Sequence, residues 1–211
     1  MAVMVVDEQK KPIREPYVVR LGGWTLERYL KEAPEDQIWE FVRGEIVMHS
    51  PATAEHQDLV GFLYRLLAGY CEAKGWGKVL TCPAAVQILP DVVREPDIFV
   101  FPPEEVPKAK GTPLDVRPAL VVEVISPSTR TIDLTEKAED YALAQIPEYW
   151  AVDIEKRGLL IYRLEGATFK VERLTLGKVE SRAVPGFWVE AGWLFQEPLP
   201  PVGESLGAVL H

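Results

Sequence analysis

The spacing of apolar residues divides the chain into helical and strand-like elements along most of its length. Apolar positions recur with the period of a helix in three segments, at 25–30, 53–74 and 133–145. Runs rich in β-branched and aromatic residues predict strands at 38–42, 46–48, 78–81, 84–89, 98–101, 118–126, 149–154, 159–163, 168–176 and 180–184. The pattern predicts an α/β fold: a central mixed β-sheet flanked by helices, with an N-terminal hairpin that turns at Gly44 and extra C-terminal strands.

The length of 211 residues suits a single domain spanning 1–211. Within it we expect a polar N-terminal arm at 1–20 and a Pro-rich tail at 198–211. Aromatic residues concentrate at 187–195. They form either a cap that closes the core or a surface for dimerisation.

One predicted strand carries a carboxylate in the middle of an apolar run. The run is Pro118–Ser126, and its apolar, β-branched character is typical of a strand buried on both faces. An ionised Glu123 in such a strand is costly unless it is paired, protonated or bound to metal. We therefore expect Glu123 to have a partner, and a divalent cation shared with Asp97 fits this requirement.

Asp97 and Lys137 are the residues that could complete a site around Glu123. Asp97 directly precedes the strand at 98–101, which places its carboxylate at the mouth of a buried strand, although a turn or cap would also explain it. Lys137 lies about 40 to 60° from the centre of its helix's apolar stripe, so its ammonium either reaches back along the sheet or remains at the surface. Two acids and a nearby cation are what a magnesium-dependent phosphodiester hydrolase requires.

Three other polar residues have simpler interpretations as structural groups. Glu45 starts a strand after the turn and is either a solvated turn residue or a group at the rim of a site. His56 lies on the inward face of the long helix, as a satisfied core histidine or a site residue. Asp133, three residues before Glu136, predicts a capping box at the start of its helix.

Composition restricts the classes of function. The net charge of −9 argues against a broad nucleic-acid-binding surface, but a metal-dependent nuclease is compatible with it because ions neutralise the acidic site. No apolar run approaches the roughly 20 residues of a membrane span. Met1–Lys11 lacks the pattern of a signal peptide, so we expect a cytoplasmic protein without a membrane partner. The absence of asparagine and the 18 prolines resemble a thermostable composition.

Several short motifs occur in an order that is specific to one group of proteins. They are Gly44-Glu45, Ser50-Pro51, His56-Gln57, Glu95-Pro96-Asp97, the run 120–129, Asp133 with Lys137 and Tyr141, and the run 147–153. In this order they resemble the PD-(D/E)XK nuclease superfamily, and more narrowly its Uma-type family of bacterial restriction endonucleases. The resemblance extends from about residue 38 to 165.

The resemblance implies a restriction-endonuclease-like core that acts on DNA. Asp97 and Glu123 would bind Mg²⁺, with Mn²⁺ as a substitute, and the backbone carbonyl of Val124 would be a third ligand. The lysine that the superfamily places two residues after the second acid is Ile125 here. The resemblance implies that Lys137 takes its place as the third catalytic residue.

The resemblance also implies supporting groups and an assembly. Glu45 and His56 would lie at the rim of the site. Nucleases of this kind often cut both strands as dimers, which implies a homodimer.

Three hypotheses follow, and they differ in class. The leading one is a magnesium-dependent DNA endonuclease. The second is a nuclease-fold module that binds nucleic acid or protein without cleaving it, favoured by the acidic balance and by Ile125. The third is a purely structural role in which Glu123 is neutral in the core.

Overall fold

A six-stranded mixed sheet forms the centre of the fold. The computed structural model describes residue 9 and residues 17–34 and 37–211 of the chain. From edge to edge its strands are β4 (Lys78–Thr81), β7 (Ile98–Phe101), β8 (Leu120–Ile125), β9 (Glu148–Asp153), β10 (Gly158–Glu165) and β11 (Thr168–Leu174). The β8–β9 pair is parallel and the other neighbouring pairs are antiparallel. The predicted central mixed sheet is confirmed.

Helices cover both faces of this sheet. On one face lies α2 (Ala54–Lys74), which begins where the Thr53 hydroxyl accepts a hydrogen bond from the backbone N–H of His56 at 3.2 Å. On the other face lies α3 (Ala138–Leu143), which belongs to the crossover that joins β8 to β9. Side chains of a strand alternate between faces. Val122 and Val124 therefore pack with α2, whereas Val121, Glu123 and Ile125 point towards the α3 face.

The predicted N-terminal hairpin is confirmed, and it belongs to a second sheet of five strands that was not predicted. In spatial order these are β1 (Val18–Gly22), β3 (Glu45–His49), β2 (Trp39–Val42), β6 (Val92–Arg94) and β5 (Val86–Leu89). The hairpin turns at Arg43 and Gly44, both with positive φ (47° and 88°), as a two-residue turn requires. The end of the predicted arm therefore forms β1, while residues 1–8 and 10–16 lie outside the described residues.

The prediction of a strand at 180–184 is wrong. This stretch follows β12 (Lys178–Glu180), which pairs with β13 (Trp188–Glu190). The carboxylate of Glu148 on β9 accepts hydrogen bonds from the Ser181 hydroxyl and the backbone N–H groups of Arg182 and Ala183, at 2.7, 2.8 and 3.0 Å. The chain bends around this buried carboxylate because these donors bind it instead of a neighbouring strand.

The C-terminal aromatic residues cover the α2 face of the central sheet. Phe187 and Phe195 are buried in the same cluster as α2, and Trp188 and Trp193 pack against it. The segment therefore caps the core. The predicted tail contains a helix that the sequence interpretation missed, α4 (Val202–Leu210), which packs against α2.

The remaining regular elements are short. They are α1 (Leu26–Glu32), 3₁₀ turns at Pro103–Lys108 and Ala191–Phe195, and a π-helical turn at Ile132–Lys137 that continues into α3. None of the described helices is long and apolar enough to cross a membrane.

Candidate active site

Asp97 and Glu123 lie side by side on the two neighbouring strands β7 and β8. Asp97 precedes Ile98, which pairs with Val122, so the antiparallel register brings the two acids together. The Asp97 Oδ2 atom accepts a hydrogen bond from the backbone N–H of Val124 at 2.8 Å, and the Asp97 N–H donates to Glu123 Oε2 at 3.4 Å. The sequence prediction that these two carboxylates meet at the mouth of a buried strand agrees with this geometry.

Glu123 is buried and its carboxylate is held from the helical side. Its Oε1 atom accepts hydrogen bonds from Lys137 Nζ at 2.8 Å and from the Tyr141 hydroxyl at 2.7 Å. Burial raises the pKa of Glu123 above its usual value, although the ammonium of Lys137 acts in the opposite direction. The expectation that the buried carboxylate has a partner is met by Lys137 and Tyr141. The divalent cation shared with Asp97 stays a prediction.

Lys137 is itself buried, and three carboxylates surround its ammonium. Its Nζ lies 2.8 Å from Glu123 Oε1, 3.2 Å from Asp133 Oδ1 and 3.8 Å from Glu40 Oε1. Burial would lower the pKa of Lys137, but the attraction of Glu123, Glu40 and Asp133 raises it well above its usual value. The group is a fixed cation, suited to orienting a ligand and stabilising negative charge rather than to accepting a proton.

The prediction of a capping box at Asp133 is wrong. The backbone N–H of Asp133 bonds to the carbonyl of Thr129 at 2.8 Å, so the helix begins about one turn earlier than predicted. Asp133 lies within the π-helical turn and is only 2 % exposed, with its carboxylate directed to Lys137. π-Helical turns of this kind are frequent at functional sites.

His56 approaches the acids from the first turn of α2. Its Nε2 atom lies 3.3 Å from Asp97 Oδ2, and the residue is 8 % exposed. Burial lowers the pKa of His56, but hydrogen bonding and charge attraction from Asp97, with the backbone of Val124 and the charge of Glu123, raise it overall. The structure thus brings His56 into the cluster, next to Asp97.

Glu45 is not brought into the cluster. Its carboxylate pairs with Arg20 at 3.1 Å on the exposed side of the N-terminal sheet, and Arg20 also binds Glu136 at 2.6 Å. The acid of the hairpin that does reach the cluster is Glu40, in the middle of β2 and 1 % exposed. Burial would raise the pKa of Glu40, but Lys137 and Arg94 hold it well below its usual range.

Glu40 could have been found from the sequence by the argument used for Glu123. It lies in the apolar run Ile38-Trp39-Glu40-Phe41-Val42, and a charge there needs a partner. Arg94, in Val92-Val93-Arg94, gives the same signal from the opposite charge. The two side chains meet at 2.8 Å.

The acids open onto a cavity of about 750 Å³ between the N-terminal and central sheets. Its walls include residues that surround the acids on several sides. They are Glu40, His56, Cys82, Glu95, Asp97, Glu123, Ser128, Arg130, Asp133 and Lys137. Burial raises the pKa of Glu95 to about 7, and its Oε2 atom is buried without a hydrogen-bond partner among the described residues. Acids outnumber bases in this lining, which favours the binding of a cation.

The donor set fits Mg²⁺ held by two carboxylates better than it fits a closed protein cage. Among the described residues no group of three or more His, Cys, Asp or Glu side chains is arranged to hold a metal ion. Mg²⁺ in proteins is commonly bound through one or two carboxylates, with water and substrate phosphate completing its shell. The contacts of Asp97 with the backbone of Val124 and with His56 both involve Oδ2, so Oδ1 is the atom that could bind an ion.

The fold and the grouping of Asp97, Glu123 and Lys137 define a restriction-endonuclease-like α/β protein. The sequence profile of the Uma2 family, described as "Putative restriction endonuclease", matches residues 26–192, and the chain belongs to this family. A solved structure from Anabaena variabilis ATCC 29413, titled a "putative nuclease belonging to DUF820", superposes with a TM-score of 0.65 at 15% identity. The superposition covers 89% of this chain and 99% of that one, and it shows a shared fold. No curated protein matches the chain.

Proposed function

We propose that the protein is a metal-dependent DNA endonuclease that hydrolyses phosphodiester bonds in the cavity between the two sheets. The observation that supports this most is the position of Lys137, whose ammonium lies 2.8 Å from Glu123. Ile125, which occupies the usual position of the superfamily lysine, is buried in the core on the α3 face. The lysine from the following helix thus reaches the acids that a lysine at position 125 would have served.

Asp97 and Glu123 would hold the ion, Mg²⁺ or Mn²⁺, with the backbone carbonyl of Val124 as a third ligand. When bound, such an ion supplies Lewis-acid polarisation of the phosphate and lowers the pKa of water. Glu123 is buried beside the partly buried Asp97, and Glu123, Asp133 and Glu40 share the single ammonium of Lys137, although Glu40 also binds Arg94. A bound cation would balance the charge of the two neighbouring acids.

Lys137 acts in this proposal as a charge stabiliser and as an orienting group for the attacking water. Since its pKa lies well above the usual value, it stays protonated and donates hydrogen bonds. In the hydrolysis the water oxygen forms a bond to phosphorus while the bond from phosphorus to the leaving oxygen breaks. The water gives up its proton to solvent or to a phosphate oxygen, and the leaving oxygen takes up a proton from solvent. His56 supports Asp97 through the 3.3 Å contact to Oδ2.

The test is cleavage of supercoiled plasmid DNA with Mg²⁺ or Mn²⁺ by the wild type and by Asp97→Ala, Glu123→Ala and Lys137→Ala. We expect nicked or linear products from the wild type and none from the acid variants. Undiminished cleavage by purified Glu123→Ala would overturn the assignment of the site.

The competing function is a module that binds nucleic acid or protein without cleaving it. The observations in its favour are the net charge of −9 and the isoleucine at position 125, where the superfamily places its lysine. Retention of duplex DNA by gel shift, with intact plasmid in both metals and equal binding by Asp97→Ala, would support the module.

We also propose that the protein is a homodimer, since two copies would allow both strands of a duplex to be cut. We propose a cytoplasmic location as well, where DNA is accessible. Light scattering should then give twice the chain mass of 23.7 kDa. A mass of 23.7 kDa at working concentration would contradict the dimer.

A further inference from the structure

Besides the exposed ion pair of Arg20 with Glu136, the N-terminal sheet contacts the helix that carries Lys137 at two buried points, one turn apart. At the first point Glu40 on β2 lies 3.8 Å from Lys137 Nζ. At the second, Arg94 on β6 binds Asp140 at 2.6 Å, and Asp140 lies three residues after Lys137. Residues three apart share a helix face, so both contacts fix the same face of the helix.

These two contacts are joined into one continuous chain of charges. Arg94 is 0 % exposed, and its two terminal nitrogens bind Glu40 Oε2 at 2.8 Å and Asp140 Oδ2 at 2.6 Å. Arg43, from the hairpin turn, binds the other oxygen of Asp140 at 2.5 Å. The second oxygen of Glu40 accepts the backbone N–H of Glu95 at 3.1 Å. Each carboxylate therefore has both oxygens occupied and a single orientation.

We infer that Glu40, held by Arg94, is a positioning residue that fixes the Lys137 ammonium in the cavity, and that the Glu40–Arg94–Asp140 chain clamps the catalytic helix onto the N-terminal sheet. The inference rests on the proposed function, because it assigns Glu40 a role that acts through Lys137. Glu40 itself touches neither of the proposed metal ligands by a hydrogen bond in this structure. Its oxygens bind Arg94, His49 and the backbone of Glu95.

The geometry indicates that Glu40 affects the position of the Lys137 ammonium as well as its charge. Lys137 has a flexible stem of four carbons and lies between Glu123, Asp133 and Glu40. Without the charge of Glu40, the nearest carboxylates to the ammonium are Glu123 and Asp133, on the side away from the N-terminal sheet. Displacement of a catalytic group by about 1 Å can reduce the rate by about 10²-fold.

The experiment compares Glu40→Gln with Glu148→Gln, its matched control. Both variants replace a carboxylate that is no more than 1 % exposed with an amide of nearly the same shape. Glu148 differs from Glu40 in its partners, which include Ser181 and the backbone of Arg182 and Ala183 but not Lys137. For plasmid cleavage with Mg²⁺ we expect kcat of Glu40→Gln to fall by about 10- to 100-fold with KM nearly unchanged, and kcat of Glu148→Gln to remain within about 2-fold.

A second readout does not depend on activity. In ¹⁵N-lysine spectra the buried Lys137 ammonium should give a protected signal, identified by its loss in Lys137→Met. This signal should shift or broaden in Glu40→Gln and stay in place in Glu148→Gln. An unchanged signal in Glu40→Gln would overturn the inference, as would an equal loss of kcat in both variants.

A surface variant keeps the inference testable if Glu40→Gln does not fold. Arg43→Ala removes one of the two arginines that bind Asp140, and the Arg43 side chain is 45% exposed. The control is Arg28→Ala, which removes the exposed Arg28–Glu32 ion pair elsewhere in the N-terminal region. We expect a several-fold lower kcat for Arg43→Ala alone, and equal kcat for the two would count against the clamp. If the wild type does not cleave DNA, the proposed function fails, while the ammonium signal still decides the positioning of Lys137.

Discussion

Glu123 and Glu148 are two buried carboxylates on neighbouring parallel strands, and their surroundings differ completely. Glu148, at the start of β9, accepts hydrogen bonds from the Trp150 indole, the Ser181 hydroxyl and two backbone N–H groups. Glu123, on β8, lies beside Asp97 and shares Lys137 with other acids. The first is satisfied by these neutral donors together with the Arg163 guanidinium at 3.6 Å. The second is part of a cluster in which acids outnumber bases and which faces a cavity.

The comparison separates a carboxylate that is satisfied within the fold from one that we propose to be functional. A buried carboxylate bound by several backbone and hydroxyl donors needs no further partner, and it organises the chain around itself. A buried carboxylate among other acids has unmet charge, which a cation can supply. Burial alone does not distinguish the two, because both residues are no more than 3 % exposed.

The largest expected effect distinguishes the two residues by activity. Glu123→Gln should reduce plasmid cleavage by about 10³-fold or more, since it removes a ligand of an ion that contributes several kcal/mol to the transition state. Glu148→Gln should keep cleavage close to the wild-type rate at a temperature where both variants are folded. Equal losses of cleavage activity in the two variants would contradict a specific role for Glu123 in the reaction.

The next effect separates metal binding from catalysis within the same cluster. Lys137→Met should lower kcat by about 10²- to 10³-fold, because it removes the cation that stabilises developing negative charge. Binding of Mn²⁺ should persist, since Asp97 and Glu123 remain. Loss of Mn²⁺ binding together with activity would indicate that Lys137 acts by holding the acids in place.

Stability should rank the two carboxylates in the opposite order. Glu148→Gln leaves N–H donors facing an amide N–H₂ and should lower the free energy of unfolding by about 1–3 kcal/mol. Glu123→Gln should cost less, because burial raises the pKa of Glu123 and already disfavours its charged form. Urea denaturation of both variants near neutral pH measures the difference, and a larger loss for Glu123→Gln would contradict the ranking.

The smallest effect concerns the hydroxyl that binds Glu123. Tyr141→Phe removes the 2.7 Å hydrogen bond to Oε1 and should lower the free energy of unfolding by about 1 kcal/mol, with cleavage reduced only several-fold. Tyr162→Phe, at another buried tyrosine that stacks on Tyr149, serves as the control in the same thermal melts. A loss of activity as large as that of Lys137→Met would assign Tyr141 a direct role in the chemistry.

Much of the central sheet follows from the sequence because its strands are continuous apolar runs. The antiparallel hairpin follows equally from its turn at Gly44, and the start of α2 near residue 53 follows from its helical period. Strands β1 and β6 were missed, since β6 has only three residues and ends in a buried charge at Arg94. Their pairing depends on contacts between segments distant in the chain, which local periodicity does not report.

The candidate site was predicted only in part, for a similar reason. Asp97, Glu123, Lys137 and His56 are brought together. Asp133 also contacts Lys137, four residues later, a spacing that places the two side chains on one helix face. It was assigned to a cap because the helix was predicted to begin at Asp133, whereas it begins about one turn earlier. Glu40 was overlooked in favour of Glu45, five residues along the same hairpin. The partner that makes Glu40 part of the site comes from a helix almost one hundred residues later.

Calorimetric titration of Mn²⁺ into the wild type, Glu123→Gln and Glu148→Gln at neutral pH tests the central claim most directly. The claim is that Glu123 binds a divalent ion together with Asp97, whereas Glu148 stabilises the bend of the chain at residues 181–183. We predict saturable binding to the wild type and to Glu148→Gln, and none to Glu123→Gln. Equal binding to all three proteins, or to none of them, would contradict it.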